Sequence, residues 1–220
     1  MRATPDIPMT DMIMPRGDAG QDPPRRAPAP APAEGPGWAR VLGEFYSHYG
    51  LALPRLERLA PERLPEPYRR LLAHNNDMTA TLERWHGERL NLRVCGREQG
   101  PDFYLREVVL ELSGSRRPAE YGAIRVHLGR FPSRVRSLIL AERDPFGRIL
   151  QEEGIAHLGW PQAFFALQAD ARMRRLLDLD EAALVYGRRN VLLDGERRLL
   201  AEVIEILPPA KRFENRANPS

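Results

Sequence analysis

From residue 89 to residue 207 most of the chain alternates apolar and polar side chains with a period of two, and no other feature constrains its fold as tightly. Six runs carry the pattern: RLNLRVCGRE from Arg89, DFYLREVVLEL from Asp102, AEYGAIRVHL from Ala119, IAHLGWPQAFFAL from Ile155, AALVYGRRNVLL from Ala182 and RRLLAEVIEIL from Arg197. Turn residues in EQGPD, SGSRRP and DGE separate some of these runs by the short connections that antiparallel strands use. One helical interruption, PSRVRSLILAERDPFGRILQEEG, falls between the third run and the fourth. Upstream of Gly87 the period is helical. Trp38, Val41, Leu42, Phe45 and Tyr49 share one face of a first helix, and PEPYRRLLAHNN gives a short second helix ending near Asn75. Asp77 then caps a third helix through Trp85, with Gly87 as its stop. The expected fold is α+β: a single domain with a largely antiparallel six-stranded sheet and helices packed on one side.

Outside residues 37–208 the composition changes. Residues 1–36 are rich in Pro and Ala and bury too little apolar surface to offset the entropy of ordering, so a disordered extension is expected there. Residues 209–220 read as a flexible tail. The chain carries 33 basic and 30 acidic residues, but the two signs are interleaved, and no nucleic-acid partner is expected. Lys211 is the only lysine, which leaves none inside the fold for Schiff-base chemistry or a phosphate-binding loop. The lone Cys95 excludes an internal disulfide. His48, His74, His86, His127 and His157 lack ligand spacing, so they read as surface or packing residues and no metal is expected. His74 is set apart by its place just before the third helix. No stretch approaches the ~20 apolar residues of a membrane span. The first residues hold Pro and Asp where a secretion signal needs an apolar segment, so a cytoplasmic location is expected.

Two charges interrupt apolar rows. Alternation in FYLREVVLEL groups Arg106 with Tyr104, Val108, Leu110 and Leu112. In the last run Glu202 groups with Leu200, Ile204 and Ile206, and Glu205 takes the opposite face with Ala201, Val203 and Leu207. Burying either Arg106 or Glu202 alone costs several kcal/mol, so each needs a partner or a ligand. They pair with each other or reach the sheet edge, or else they line a closed pocket in which the Arg binds an anion and the Glu handles a hydroxyl or a proton.

Taken in order, DMT, YLREVVL, DPFGRIL, GRRN and DGERRLLAEVIEILPP resemble the chorismate pyruvate-lyase family over roughly residues 70–208. That family is cofactor-independent and similar in fold to the UTRA ligand-binding domains of bacterial transcription regulators. The resemblance implies a buried site with Met78 and Thr79 at a helix start, Arg106 on the substrate, Phe146 and Gly147 in a turn after Pro145, and Glu202 on the final strand. Arg106 and Glu202 are the implied catalytic pair. Ala80 and Thr81 stand where the family's compact enzymes carry basic residues, and Phe146 stands in place of Leu. The implied reaction converts chorismate to 4-hydroxybenzoate and pyruvate, a step toward ubiquinone, with a small-molecule substrate and no cofactor. Two alternatives stay open: a UTRA-like module that binds an aromatic acid without turning it over, and a related lyase with another hydroxybenzoate product.

Overall fold

The structure, a computed structural model, describes residues 36–213. The expected disordered extension lies outside the described residues except for Pro36, and so does the tail beyond Phe213. Seven strands form one sheet: β1 (Glu57–Leu59), β2 (Leu90–Gln99), β3 (Phe103–Leu112), β4 (Pro118–His127), β5 (Leu158–Gln168), β6 (Leu184–Leu193) and β7 (Leu199–Leu207). Their order is β1-β5-β6-β7-β4-β3-β2, and every neighbouring pair is antiparallel. Six helices cover it: α1 (Arg40–His48), α2 (Tyr68–Leu72), α3 (Met78–His86), α4 (Ser133–Leu140), α5 (Phe146–Glu152) and α6 (Ala171–Leu176). No helix among the described residues is long and apolar enough to cross a membrane.

All six expected strands are present. The seventh, β1, is three residues long, too short for alternation to show, and it pairs Glu57–Leu59 with Phe164–Ala166 at the sheet edge. The single helical interruption is two helices: α4 ends at Leu140, Glu142 takes a left-handed conformation (φ 56°), and α5 starts only after Pro145, a residue that disfavours helical conformation in the one before it. A short sixth helix, α6, starts where Asp170 accepts a hydrogen bond from the Met173 amide at 2.8 Å.

The helices occupy both faces of the sheet, not one. On the first face α1 and α6 pack Val41, Leu42, Phe45, Tyr46, Met173 and Leu176 against Val109, Tyr121, Ala123, Ile204 and Ile206. On the second, α4 and α5 cover Tyr104, Ile124 and Val126, while α2 and α3 cover Leu110, Leu112 and Leu207. The reason is legible in β3, where Leu105 and Val109 point one way and Tyr104, Val108 and Leu110 the other, so both faces demand burial. Glu107 is fully buried under α1 and α6, where it accepts from Tyr49 Oη (3.0 Å), Tyr121 Oη (2.6 Å) and Arg172 Nε (3.1 Å). The tail is packed as far as Phe213, which is buried with its ring 6.1 Å from Tyr68 and 6.5 Å from Trp85.

Candidate functional site

On the second face, strand register arranges polar side chains around a glycine. Across β3 and β4, Arg106 faces Ile124, Val108 faces Gly122 and Leu110 faces Glu120. Gly122 in turn faces Glu205 on β7, and Glu205 faces Arg188 on β6. A Cβ at Gly122 would stand 3.2 Å from Glu120 Oε1 and 3.4 Å from Val108 Cγ2, so the missing side chain leaves a hollow. A cavity of about 60 Å³ lies over this floor. Its polar lining is Arg106, Glu120, Asn190, Glu205, Asp77 and Thr79, and Met78, Leu92, Ile124, Phe146, Leu192 and Val203 are among its apolar walls.

Arg188 is fully buried, and all three of its guanidinium nitrogens are bonded. Its Nε donates to Glu205 Oε2, Nη1 donates to the carbonyls of Leu72 (3.0 Å) and His74 (2.6 Å), and Nη2 donates to the carbonyl of Asn76 (3.2 Å). The first arginine of GRRN thereby ties the sheet to the segment leading into α3, which sets Met78 and Thr79 over the cavity. Burial and the Arg188 charge hold the neighbouring His74 below the usual imidazole value.

Arg106 is 1% exposed, yet its Nε and Nη1 are buried with no hydrogen-bond partner. Burial pulls its pKa down, and Tyr104 and Glu142 partly offset that. Glu142 is already occupied, since it accepts from the Tyr104 hydroxyl and from Arg97 Nη1 at 2.6 Å. A guanidinium buried without a bonded partner is costly, and an anion in the cavity would bring acceptors to it. Glu120 is 4% exposed with Oε2 unpartnered, and buried Asn190 has Oδ1 unpartnered. Burial first and the Glu205 charge second push the Glu120 carboxyl well above the usual carboxylate range, against the pull of Arg188.

The wall opposite the sheet is made by the starts of α3 and α5. Asp77 precedes α3 as expected, but its carboxylate caps nothing. It pairs instead with His157 Nε2 at 2.8 Å, and that hydrogen bond raises the His157 pKa. The amides of the first turn of α3 have no side-chain cap and keep the positive end of the helix at the cavity wall. Gly147 allows the close approach of the two helices, since a Cβ there would lie 3.4 Å from both Asp77 Cβ and Thr79 Oγ1.

Of the residues expected at the site, Met78, Thr79, Arg106, Phe146 and Gly147 all line this one cavity. Glu202 does not. A register irregularity beside Leu200 places that residue in the cluster of the second face, but the grouping holds for Glu202, Ile204 and Ile206, whose row faces α1. Glu202 accepts there from Arg189 Nη2 at 2.8 Å and from Arg40 Nη2 at 3.3 Å, so it neither pairs with Arg106 nor reaches the cavity. The final-strand carboxylate that does line the cavity is Glu205. Period-two alternation separates Glu202 from Glu205, but it does not say which row shares a face with Arg106; strand order and register decide that. Glu120 was not anticipated, although it interrupts an apolar run in PAEYGAI as Arg106 does in its own strand.

No protein-family model matches the chain, and no curated protein matches it. Among solved structures it is similar to the effector domain of PhnF from Mycobacterium smegmatis, with a TM-score of 0.47 and 13% identity over 62% of this chain and 90% of that one. It is also similar to a gene product of Staphylococcus aureus, with a TM-score of 0.46 and 9% identity over 62% of this chain and 90% of that one. A GntR-family transcriptional regulator from Bacillus cereus gives a TM-score of 0.41 and 10% identity over 55% of this chain and 92% of that one.

Proposed function

We propose that the cavity over Gly122 binds a small ring carboxylic acid, its carboxylate on Arg106 and its far oxygen at Glu205. The observation that carries this reading is Arg106, a sealed guanidinium with two unpartnered nitrogens at one corner of a largely apolar pocket. The carboxylate that β7 contributes to the lining is paired within the protein, because Glu205 is held by Arg188. A ligand with one carboxylate therefore matches the one unpaired cation of the lining, and apolar walls suit a planar ring. On this reading the chain is a UTRA-like binding module, the alternative left open by the sequence.

A second reading is favoured by a separate observation: five residues carried over from the chorismate pyruvate-lyase resemblance line the same cavity. In that reaction the ring carbon bearing the hydroxyl loses its hydrogen as a proton, and the neighbouring bond from ring carbon to enolpyruvyl oxygen breaks. Its electron pair leaves with the oxygen, and protonation of the methylene carbon completes pyruvate. The ring becomes aromatic as 4-hydroxybenzoate, with no oxidant consumed. Arg106 would hold the ring carboxylate, Glu205 would orient the ring hydroxyl, and Met78 and Phe146 would exclude water.

One experiment serves both readings. The protein is titrated with 4-hydroxybenzoate by calorimetry and then incubated with chorismate while pyruvate is followed with a coupled dehydrogenase. Binding without pyruvate release is the result expected for the module, and pyruvate above background would establish the lyase. No binding and no pyruvate would dismiss both.

A further inference from the structure

We infer that Glu120 is a specificity-determining residue, a neutral hydrogen-bond donor that selects ring acids carrying a hydroxyl at the end remote from their carboxylate. This rests on reading the cavity as a ring-acid site, and it assigns the end of that site that Arg106 does not reach. Glu120 sits on β4 opposite Leu110, four residues along the β3 pairing from Arg106, which is about 13 Å at the rise of a strand. The two residues therefore mark opposite ends of the hollow above Gly122.

The chemistry at that end follows from counting partners. Arg188 is the nearby cation, and its donors go to Glu205 and to the carbonyls of Leu72, His74 and Asn76, with none to Glu120. Glu120 thus lies buried beside a carboxylate that already holds the guanidinium, and its Oε2 has no partner. Two adjacent buried carboxyls with one engaged cation retain a proton between them, and the carboxyl without the cation is the one that keeps it. Protonated, Glu120 offers an O–H donor next to the acceptor oxygens of Glu205. A hydroxyl satisfies both, donating to Glu205 and accepting from Glu120. A hydrogen atom in its place leaves both groups unpaired, and a second carboxylate meets the charge of Glu205. Selection of this kind is strong because a buried polar group left unmatched is costly.

The test is a calorimetric comparison of 4-hydroxybenzoate with benzoate, using the full chain and the variants Glu120→Leu and Glu120→Gln. The full chain is expected to prefer the hydroxylated acid by about 30-fold or more, the scale of a lost buried hydrogen-bond pair. Glu120→Leu should bring the ratio within about threefold, and Glu120→Gln, neutral and still a donor, should keep most of the preference. A ratio unchanged in Glu120→Leu would overturn the assignment of Glu120 and leave the ring-acid reading standing. A ratio lost equally in Glu120→Gln would overturn the neutral donor, since the charge would then be what matters. Failure of the full chain to bind either acid would remove the ring-acid reading, and this assignment with it.

Discussion

Arg106 and Arg188 are sealed from solvent to the same degree, at 1% and 0% exposure, and they are treated in opposite ways. Arg188 spends its donors on one carboxylate and three backbone carbonyls, which fasten β6 to the entry of α3. Arg106 has two buried nitrogens with no partner, and the carboxylate whose charge acts on it, Glu142, is held by Tyr104 and Arg97. A buried charge with every nitrogen bonded is a structural clasp. A buried charge left open in a lined cavity costs stability, and the reading proposed above takes it as a seat for an anion.

Substitution should separate the two most sharply in stability. Arg188→Met strands the Glu205 carboxylate and three carbonyls, so urea denaturation should show a loss of about 3–5 kcal/mol. Arg106→Leu removes an uncompensated charge and fills its place with apolar atoms, and the same measurement should show a gain of about 1–3 kcal/mol. Equal losses at both positions would erase the distinction. Glu120→Leu belongs with Arg106 and should also stabilise the fold at neutral pH, by about 1–2 kcal/mol, since it removes an unmatched buried carboxyl.

The carboxylates extend the contrast to pH. Glu120 is shifted up on folding, so its contribution is complete below the unfolded value of about 4.3 and is lost as pH rises toward its folded value. The advantage of Glu120→Leu over the parent chain should therefore widen as pH rises from about 4.3. Glu202 behaves in the reverse sense. Burial pushes it up, but the Arg189 hydrogen bond and the Arg189 and Arg40 charges outweigh that, and its carboxyl ends below the usual value. Its contribution is present above about 4.3 and lost as pH falls through the folded value. Glu202→Gln should cost only about 0.5–1 kcal/mol at neutral pH, because Arg40 is largely exposed, and the cost should shrink in acid. Denaturation curves at several pH values check both signs.

The strands were legible because apolar alternation survives in every strand long enough to show it, and the α1 face was legible for the same reason. β1 escaped because three residues carry too little periodicity, and α6 because its six residues follow almost directly on β5. The two-sided packing was written in β3, where Val108 and Val109 are adjacent and both buried, but the charged Glu107 and Glu111 between apolar neighbours mask it in the sequence. Both are buried against arginines: Arg172 for Glu107, and Arg93 and Arg116 for Glu111. At the site, Arg106 was legible as a lone charge in an apolar row. The choice between Glu202 and Glu205 was not, because it depends on which row of β7 lies on the Arg106 side of β4. Glu120 is legible only once Gly122 is known to leave a hollow beside it.

The central claim is that Arg106 is open because an organic carboxylate belongs there. The most direct measurement is calorimetry of 4-hydroxybenzoate with the parent chain and with Arg106→Leu, a variant expected to fold at least as stably. The account predicts saturable one-to-one binding to the parent chain and a loss of about 30-fold or more in affinity in the variant, the scale of a bidentate charge-assisted contact. Equal affinity in the two proteins would contradict it and return Arg106 to the structural role that Arg188 fills.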